Sequence, residues 1–249
     1  MYIVDGVMNM SDIRRRYVIR LIVRIIIFIA CVVMCFKPGF YDILNGMNFF
    51  KEFHLLHILW ILWMIDMILQ VIPLKNKVAL GSQKLFKHRF KGIKERVNKD
   101  TLMKYIKGTT SRAYLVMIVW VLFIGVIAAL YYLGIINKMI LFMCTIAFYV
   151  CDLICVLIWC PFRLIMKNKC CTTCRIFNWD HLMMFSPLIF IGGFYALSLV
   201  CMAVLCFIVW EVAVLVFPER FSEITNEALR CNNCTDKLCT QYCQKLRKK

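Results

Sequence analysis

Glycine and proline are scarce in this 249-residue chain, with 10 Gly and 5 Pro, and acidic residues number only 14. So few turn formers exclude a loop-rich secreted scaffold or a disordered, low-complexity chain. Charged residues make up 18% of the sequence and apolar residues 62%, against about a quarter and a half in a soluble domain. No polar stretch is long enough to fold as a soluble domain, the longest being the basic segment 75–112. There is no internal repeat. Walker A, G-x-G-x-x-G, H-E-x-x-H and C-x-x-C-H patterns are all missing, so no phosphate loop and no nucleophile-and-base arrangement can be named, and enzyme activity is left open.

What the sequence has instead is apolar residues in blocks of bilayer-crossing length, about 20 residues each. They predict an all-α, polytopic helical transmembrane bundle of about five spans, within a range of four to six. The expected spans are 18–36, 53–74, 113–136, 139–162 and 194–217, forming with their loops a membrane domain over 1–217. Arg14, Arg15 and Arg16 precede the first block and no small-residue cleavage site follows it, so it reads as a signal anchor. The apolar run 182–217 would give roughly 54 Å of helix, while two crossings need about 60 Å plus a turn. It holds only Pro187 and Gly192-Gly193 as breakers. One span preceded by a short interfacial or re-entrant piece is the reading that follows, and the side of the tail 218–249 stays open.

The formal net charge of +17 does not imply nucleic acid, because the 31 Lys and Arg mostly flank the apolar blocks. They are sparse in the first and third loops and dense in the N-terminus and in 75–112, which predicts a cytoplasmic N-terminus. Isoleucine-, lysine- and methionine-rich usage points to a low-GC genome and a bacterial cell membrane. Within the connector, Phe86, Phe90, Ile93 and Val97 fall at i, i+4, i+7 and i+11. That spacing predicts an amphipathic basic helix, interrupted by Gly92, that contacts anionic lipid over 83–107.

Three sets of residues carry candidate chemistry. Asp66 and Asp152 interrupt apolar spans at matched depth, suggesting a carboxylate pair for a proton or cation. Arg24 on the antiparallel first span is the expected neutralising partner of Asp66, which leaves Asp152 without one. Glu211 and Gln70 interrupt spans less centrally. His54 and His57 share a helix face near a span end, and an interfacial pair without metal is the simpler reading.

The third set is cysteine. Of 15, those inside spans behave as small apolar residues, and Cys160 stands at a span end. The cysteine loop 163–181 carries Cys170, Cys171 and Cys174, and the tail carries Cys231, Cys234, Cys239 and Cys243 spaced C-x2-C-x4-C-x3-C. Four thiolates at such spacing suit a tetrahedral zinc ion or an iron–sulfur cluster, and the two groups can share one site only from the same side. Disulfides remain the alternative for an exported tail. A cysteine-rich loop among spans, with "WDH" close by, resembles the membrane palmitoyltransferases, but Leu182 and Met183 follow Asp180 and His181, so their Asp-His-His-Cys centre is absent. Three functions follow as expectations: a metal- or cluster-bearing membrane protein in electron or thiol transfer or scaffolding, a small transporter or accessory subunit using the carboxylates, or an anchor for anionic lipid or a protein partner.

Overall fold

The structure, a computed structural model, describes residues 12–37, 39–72, 82–93, 97–167, 173–230, 233 and 238. It is a helical transmembrane bundle. Four helices are long and apolar enough to cross a bilayer: α1 (Asp12–Met34), α3 (Lys99–Tyr132), α4 (Lys138–Leu157) and α6 (Gly193–Val216). A shorter apolar helix, α2 (Leu55–Val71), spans roughly 25 Å, somewhat less than the ~30 Å hydrocarbon core. Among the described residues the only β pairing is an isolated bridge between Gly92 and Asn226.

Helix ends follow local chemistry. Asn98 caps α3 by accepting from the Asp100 N–H at 3.1 Å, and Asn137 caps α4 by accepting from Ile140 at 3.0 Å. Pro161 follows the end of α4, which stops at Leu157 rather than running on to 162. The histidine pair shapes the start of α2. His57 Nδ1 accepts from the His54 backbone N–H at 2.9 Å, while Nε2 donates to the Phe49 carbonyl at 2.8 Å. One tautomer satisfies both bonds, so this buried imidazole is a helix cap.

The chain between Asp180 and Val216 passes through the bundle twice. The first passage is a broken helix: α5 (Asp180–Phe185) followed by a 3-10 turn, Ser186–Phe190. It begins beside Gln70 at the far end of α2 and ends at Gly192-Gly193, where Phe194 N–H donates to the Gly46 carbonyl at 2.9 Å. Met184, Phe185, Ser186 and Leu188 are buried among α3, α4 and α6. Irregular backbone is tolerated at membrane depth only where protein covers it, and here it is covered. Trp120 Nε1 donates to Ser186 Oγ at 3.2 Å, tying this strand of chain to α3. Four long apolar helices and the shorter α2 match the expected five, and the broken segment is the short piece expected before the last of them, buried inside the bundle.

The bundle therefore has two faces. The hairpin face carries the 39–50 loop and the α3–α4 turn, joined where Lys138 Nζ donates to Asn45 Oδ1 at 2.9 Å. The connector face carries the start of α1, the connector, the cysteine loop and the tail. Arg220 Nη1 donates to the Leu85 carbonyl at 3.2 Å, Glu227 N–H to Lys91 at 2.8 Å, and Ile93 N–H to Thr225 at 3.2 Å. Leu238 packs with Tyr17, Leu153 and Leu157. The tail thus shares a face with the connector.

These contacts also correct the expected amphipathic helix. Among its described residues before Lys99 the connector forms one helical turn, Ser82–Leu85, and one 3-10 turn, Lys87–Arg89, with Phe86 and Phe90 in extended conformation. Its backbone from Lys91 to Ile93 pairs with 225–227, which removes those groups from any helix. Helix resumes at Lys99, so α3 begins well before the apolar block and carries Lys99, Lys104, Lys107 and Arg112 in continuous helix.

Large apolar side chains line the outside of the bundle, among them Ile22, Ile26 and Val33 on α1 and Leu122 and Val126 on α3. Such a continuous apolar belt is what lipid-facing helices present. The core is aromatic: Trp63 is fully buried and meets Phe142, Tyr149 and Phe185 edge-on or tilted.

Candidate functional site

Four elements converge on one group of ionisable side chains within the bundle. α1 contributes Arg24, whose side chain is 10% exposed. Its Nη1 donates to Asp152 Oδ2 at 2.8 Å and to the Tyr149 carbonyl at 2.6 Å, both on α4. The guanidinium also lies 3.8 Å over the Tyr149 ring centre. α2 contributes Asp66, with its Oδ2 3.7 Å from Arg24 Nη2. That is an ion-pair distance rather than a hydrogen bond. The expectation that Asp152 lacks a partner is therefore corrected: Asp152 holds Arg24 more closely than Asp66 does.

α5 completes the group with two residues that the sequence reading left in the cysteine loop. His181 Nδ1 lies 2.9 Å from Asp180 Oδ1, and its Nε2 lies 3.6 Å from Asp66 Oδ2. Asp180 Oδ1 also accepts from the His181 backbone N–H at 2.7 Å, and Oδ2 accepts from Gln70 Nε2 at 3.1 Å. Asp66 and Gln70 are four apart on α2 and so face the same way. One signal pointed here: Asp180 and His181 stand at the head of an apolar run with no Lys or Arg from 176 to 219.

Two carboxylates thus pair with one buried arginine, and a third, Asp180, lines the same cavity. His181 is placed to balance them, since its charge changes with a single proton. Between these side chains is a cavity of about 30 Å³, lined by Arg20, Arg24, Asp66, Asp152, Asp180 and His181 among others. A space of that size admits water, and its walls are polar enough to hold it.

Asp152 and Asp180 also line a second, larger and mainly apolar cavity of about 320 Å³, together with Cys151, Cys155, Cys160 and Cys174. Cys160 lies beyond the end of α4. A hydrogen bond donated by the Cys155 thiol holds its pKa down to about 7, helped by the Phe162 and Arg163 N–H groups against the opposing effect of burial.

Of the thiols expected to bind metal, Cys170, Cys171, Cys231, Cys234, Cys239 and Cys243 lie outside the described residues. Cys174 is half-buried, and its carbonyl accepts from Lys84 Nζ at 3.0 Å. Among the described residues no group of three or more His, Cys, Asp or Glu is arranged to hold a metal ion. Comparison with protein-family models, curated proteins and solved structures gave no match.

Proposed function

We propose that this chain is a small membrane transporter, or the ion-handling subunit of one, that takes up a proton at the Asp66–Asp152–Asp180–His181 group. One observation carries the reading: carboxylates from α2 and α4 pair with a single buried arginine, and the Asp180–His181 pair of α5 reaches Asp66 beside them, all lining one water-sized cavity. Charges at membrane depth are costly, and a surplus of one sign there calls for an exchangeable counter-charge. A broken helix that brings ionisable groups to such a site is a recurrent transporter device.

In this reading Arg24 is the fixed charge and Asp152 its fixed partner. Asp180 and His181 hold the exchangeable proton, and Asp66 lies within reach of both His181 and Arg24. The connector face is taken as cytoplasmic, in a bacterial cell membrane. Support comes from the charge distribution, because among the described residues every Lys and Arg except Lys37, Lys51 and Lys138 belongs to a segment joined to that face. The lysines in the first turns of α3 would contact anionic lipid.

The test is proton uptake by proteoliposomes under a potassium diffusion potential, read with an entrapped pH dye. Wild-type protein should acidify or alkalinise the lumen faster than empty vesicles, and Asp180→Asn and His181→Gln should each remove that difference while the protein stays folded. Uptake that survives both changes would refute the assignment.

A second reading keeps the metal site. The cysteine loop and the tail join the bundle on the same face, which is the condition for one shared zinc or iron–sulfur site. Metal analysis of purified protein should then show zinc, or iron with sulfide. Serine at Cys170, Cys171 and Cys174 should release the same metal that serine at Cys231 and Cys234 releases.

A further inference from the structure

We infer that the connector face holds a buried binding site for a small monatomic anion, of the size and chemistry of chloride, at Arg175 and Asn178. Arg175 is 6% exposed and Asn178 3%. Arg175 Nη2 binds Glu211 Oε2 at 2.7 Å. Trp179 Nε1 donates to Glu211 Oε1 at 2.6 Å, and Tyr114 OH donates to Oε2 at 3.4 Å. Both Glu211 oxygens are therefore engaged. Arg175 Nε and Nη1, and both polar atoms of the Asn178 amide, are buried without a hydrogen-bond partner among the described residues.

These side chains line a cavity of about 10 Å³ that also receives Lys84, Thr109, Thr110 and Thr173. That volume is the minimum for one water-sized body and excludes phosphate esters and lipid headgroups, so a halide enters with a small outward shift of the lining side chains. The chemistry then decides between water and an anion. A guanidinium brings donors only, and the Asn178 amide brings donors on nitrogen against a single carbonyl oxygen. Three of the four unmatched atoms are donors, and the Lys84 ammonium adds positive charge to the wall. A water could donate to the Asn178 carbonyl oxygen and to the Thr109 hydroxyl, whose own proton goes to the Tyr105 and Ile106 carbonyls, so it is the positive charge of the site that favours the anion. A halide accepts on every side and places negative charge beside a buried guanidinium, where hydrogen bonds are strongest.

The site joins the turn of helix at Ser82–Leu85, α3, the cysteine loop and α6, so an anion bound there would fasten the connector to the bundle. The experiment compares thermal melting of the purified full-length protein in sodium chloride, sodium bromide and sodium gluconate at equal ionic strength. Chloride and bromide should raise the midpoint saturably over gluconate, whose anion is too large to enter. Asn178→Asp supplies a carboxylate beside Arg175. It should weaken the chloride response by about tenfold or more while melting no lower than wild type in gluconate. As a measurement on the wild-type protein, crystals grown in bromide should show anomalous scattering beside Arg175 Nε. Identical melting in chloride and gluconate, meaning water only, would overturn the site. So would a chloride response that survives Asn178→Asp, or bromide bound elsewhere and absent beside Arg175.

Discussion

Two arginines are buried in this bundle, and their surroundings are opposite. Arg24 is outnumbered by carboxylates: Asp152 at 2.8 Å, Asp66 at 3.7 Å, and Asp180 one contact further on through His181. Arg175 meets one carboxylate, Glu211, already held by Trp179 and Tyr114, and keeps two nitrogens unmatched. A surplus of carboxylate at depth draws a proton or a cation, while a surplus of donors draws an anion. The same residue type thus marks two sites of opposite preference, and the difference lies in which elements each arginine is packed against.

The largest expected effect tests the Arg24 side. Arg24→Ala strands Asp152 and Asp66 together, which should cost roughly 3–5 kcal/mol in a detergent unfolding series. Adding Asp152→Asn should return more of that loss than adding Asp66→Asn, because Asp152 makes the direct hydrogen bond. Equal recovery by the two, or simple additivity, would show that depth alone and not this pairing governs the site.

On the Arg175 side, Glu211→Gln should cost roughly 3 kcal/mol by leaving the guanidinium unneutralised. Here the comparison sharpens. A bound anion would take over part of the lost charge, so chloride should stabilise this variant more than it stabilises wild type. If chloride acts alike on both, the two arginines differ less than their geometry implies.

The long spans were legible because a run of lipid-facing residues cannot be disguised: the exposed isoleucines and leucines of α1 and α3 serve no other purpose. The course of the broken passage was not, since 182–217 is one apolar run without a polar turn. Its first part needs no 20-residue length because it crosses inside protein rather than against lipid, and Gly192-Gly193 turns the chain without adding polarity. The partner of Asp152 was hidden for a related reason. Depth along a span can be counted from sequence, but whether α1 lies against α2 or α4 cannot, and it packs chiefly on α4. The connector's apolar stripe misled because periodicity says nothing of a competing backbone partner, and residues 225–227 supply one.

The broken passage brings Asp180 and His181 to Arg24, so disturbing its turn should loosen one arginine site and spare the other. Gly193 has φ +79°, and a Cβ there would sit 2.6 Å from the Leu44 carbonyl oxygen. Gly193→Ala should therefore destabilise the protein by roughly 1–3 kcal/mol. Proton uptake should fall, and the chloride response at Arg175 should persist. Loss of both together would mean that the two sites are held by one cooperative unit.

The smallest effect concerns access to the carboxylates. Asp152 and Asp180 line both the 30 Å³ cavity beside Arg24 and the 320 Å³ cavity that carries Cys160. With its pKa held down to about 7, the Cys160 thiol is mostly protonated at pH 6 and mostly thiolate at pH 8. Its labelling by a maleimide should rise through pH 7, whereas an ordinary thiol would not respond until nearer its usual pKa of about 8.5. Cys155→Ala removes the hydrogen bond that stabilises the thiolate, so the labelling midpoint should move upward toward that ordinary value. The adduct would also occupy the larger cavity. If protons reach Asp152 and Asp180 from that side, labelled protein should lose uptake in proportion to the Cys160 modified, and a Cys160→Ser variant should be resistant. Uptake unchanged by complete labelling would leave the smaller cavity, past Arg20 on the connector face, as the route to Arg24.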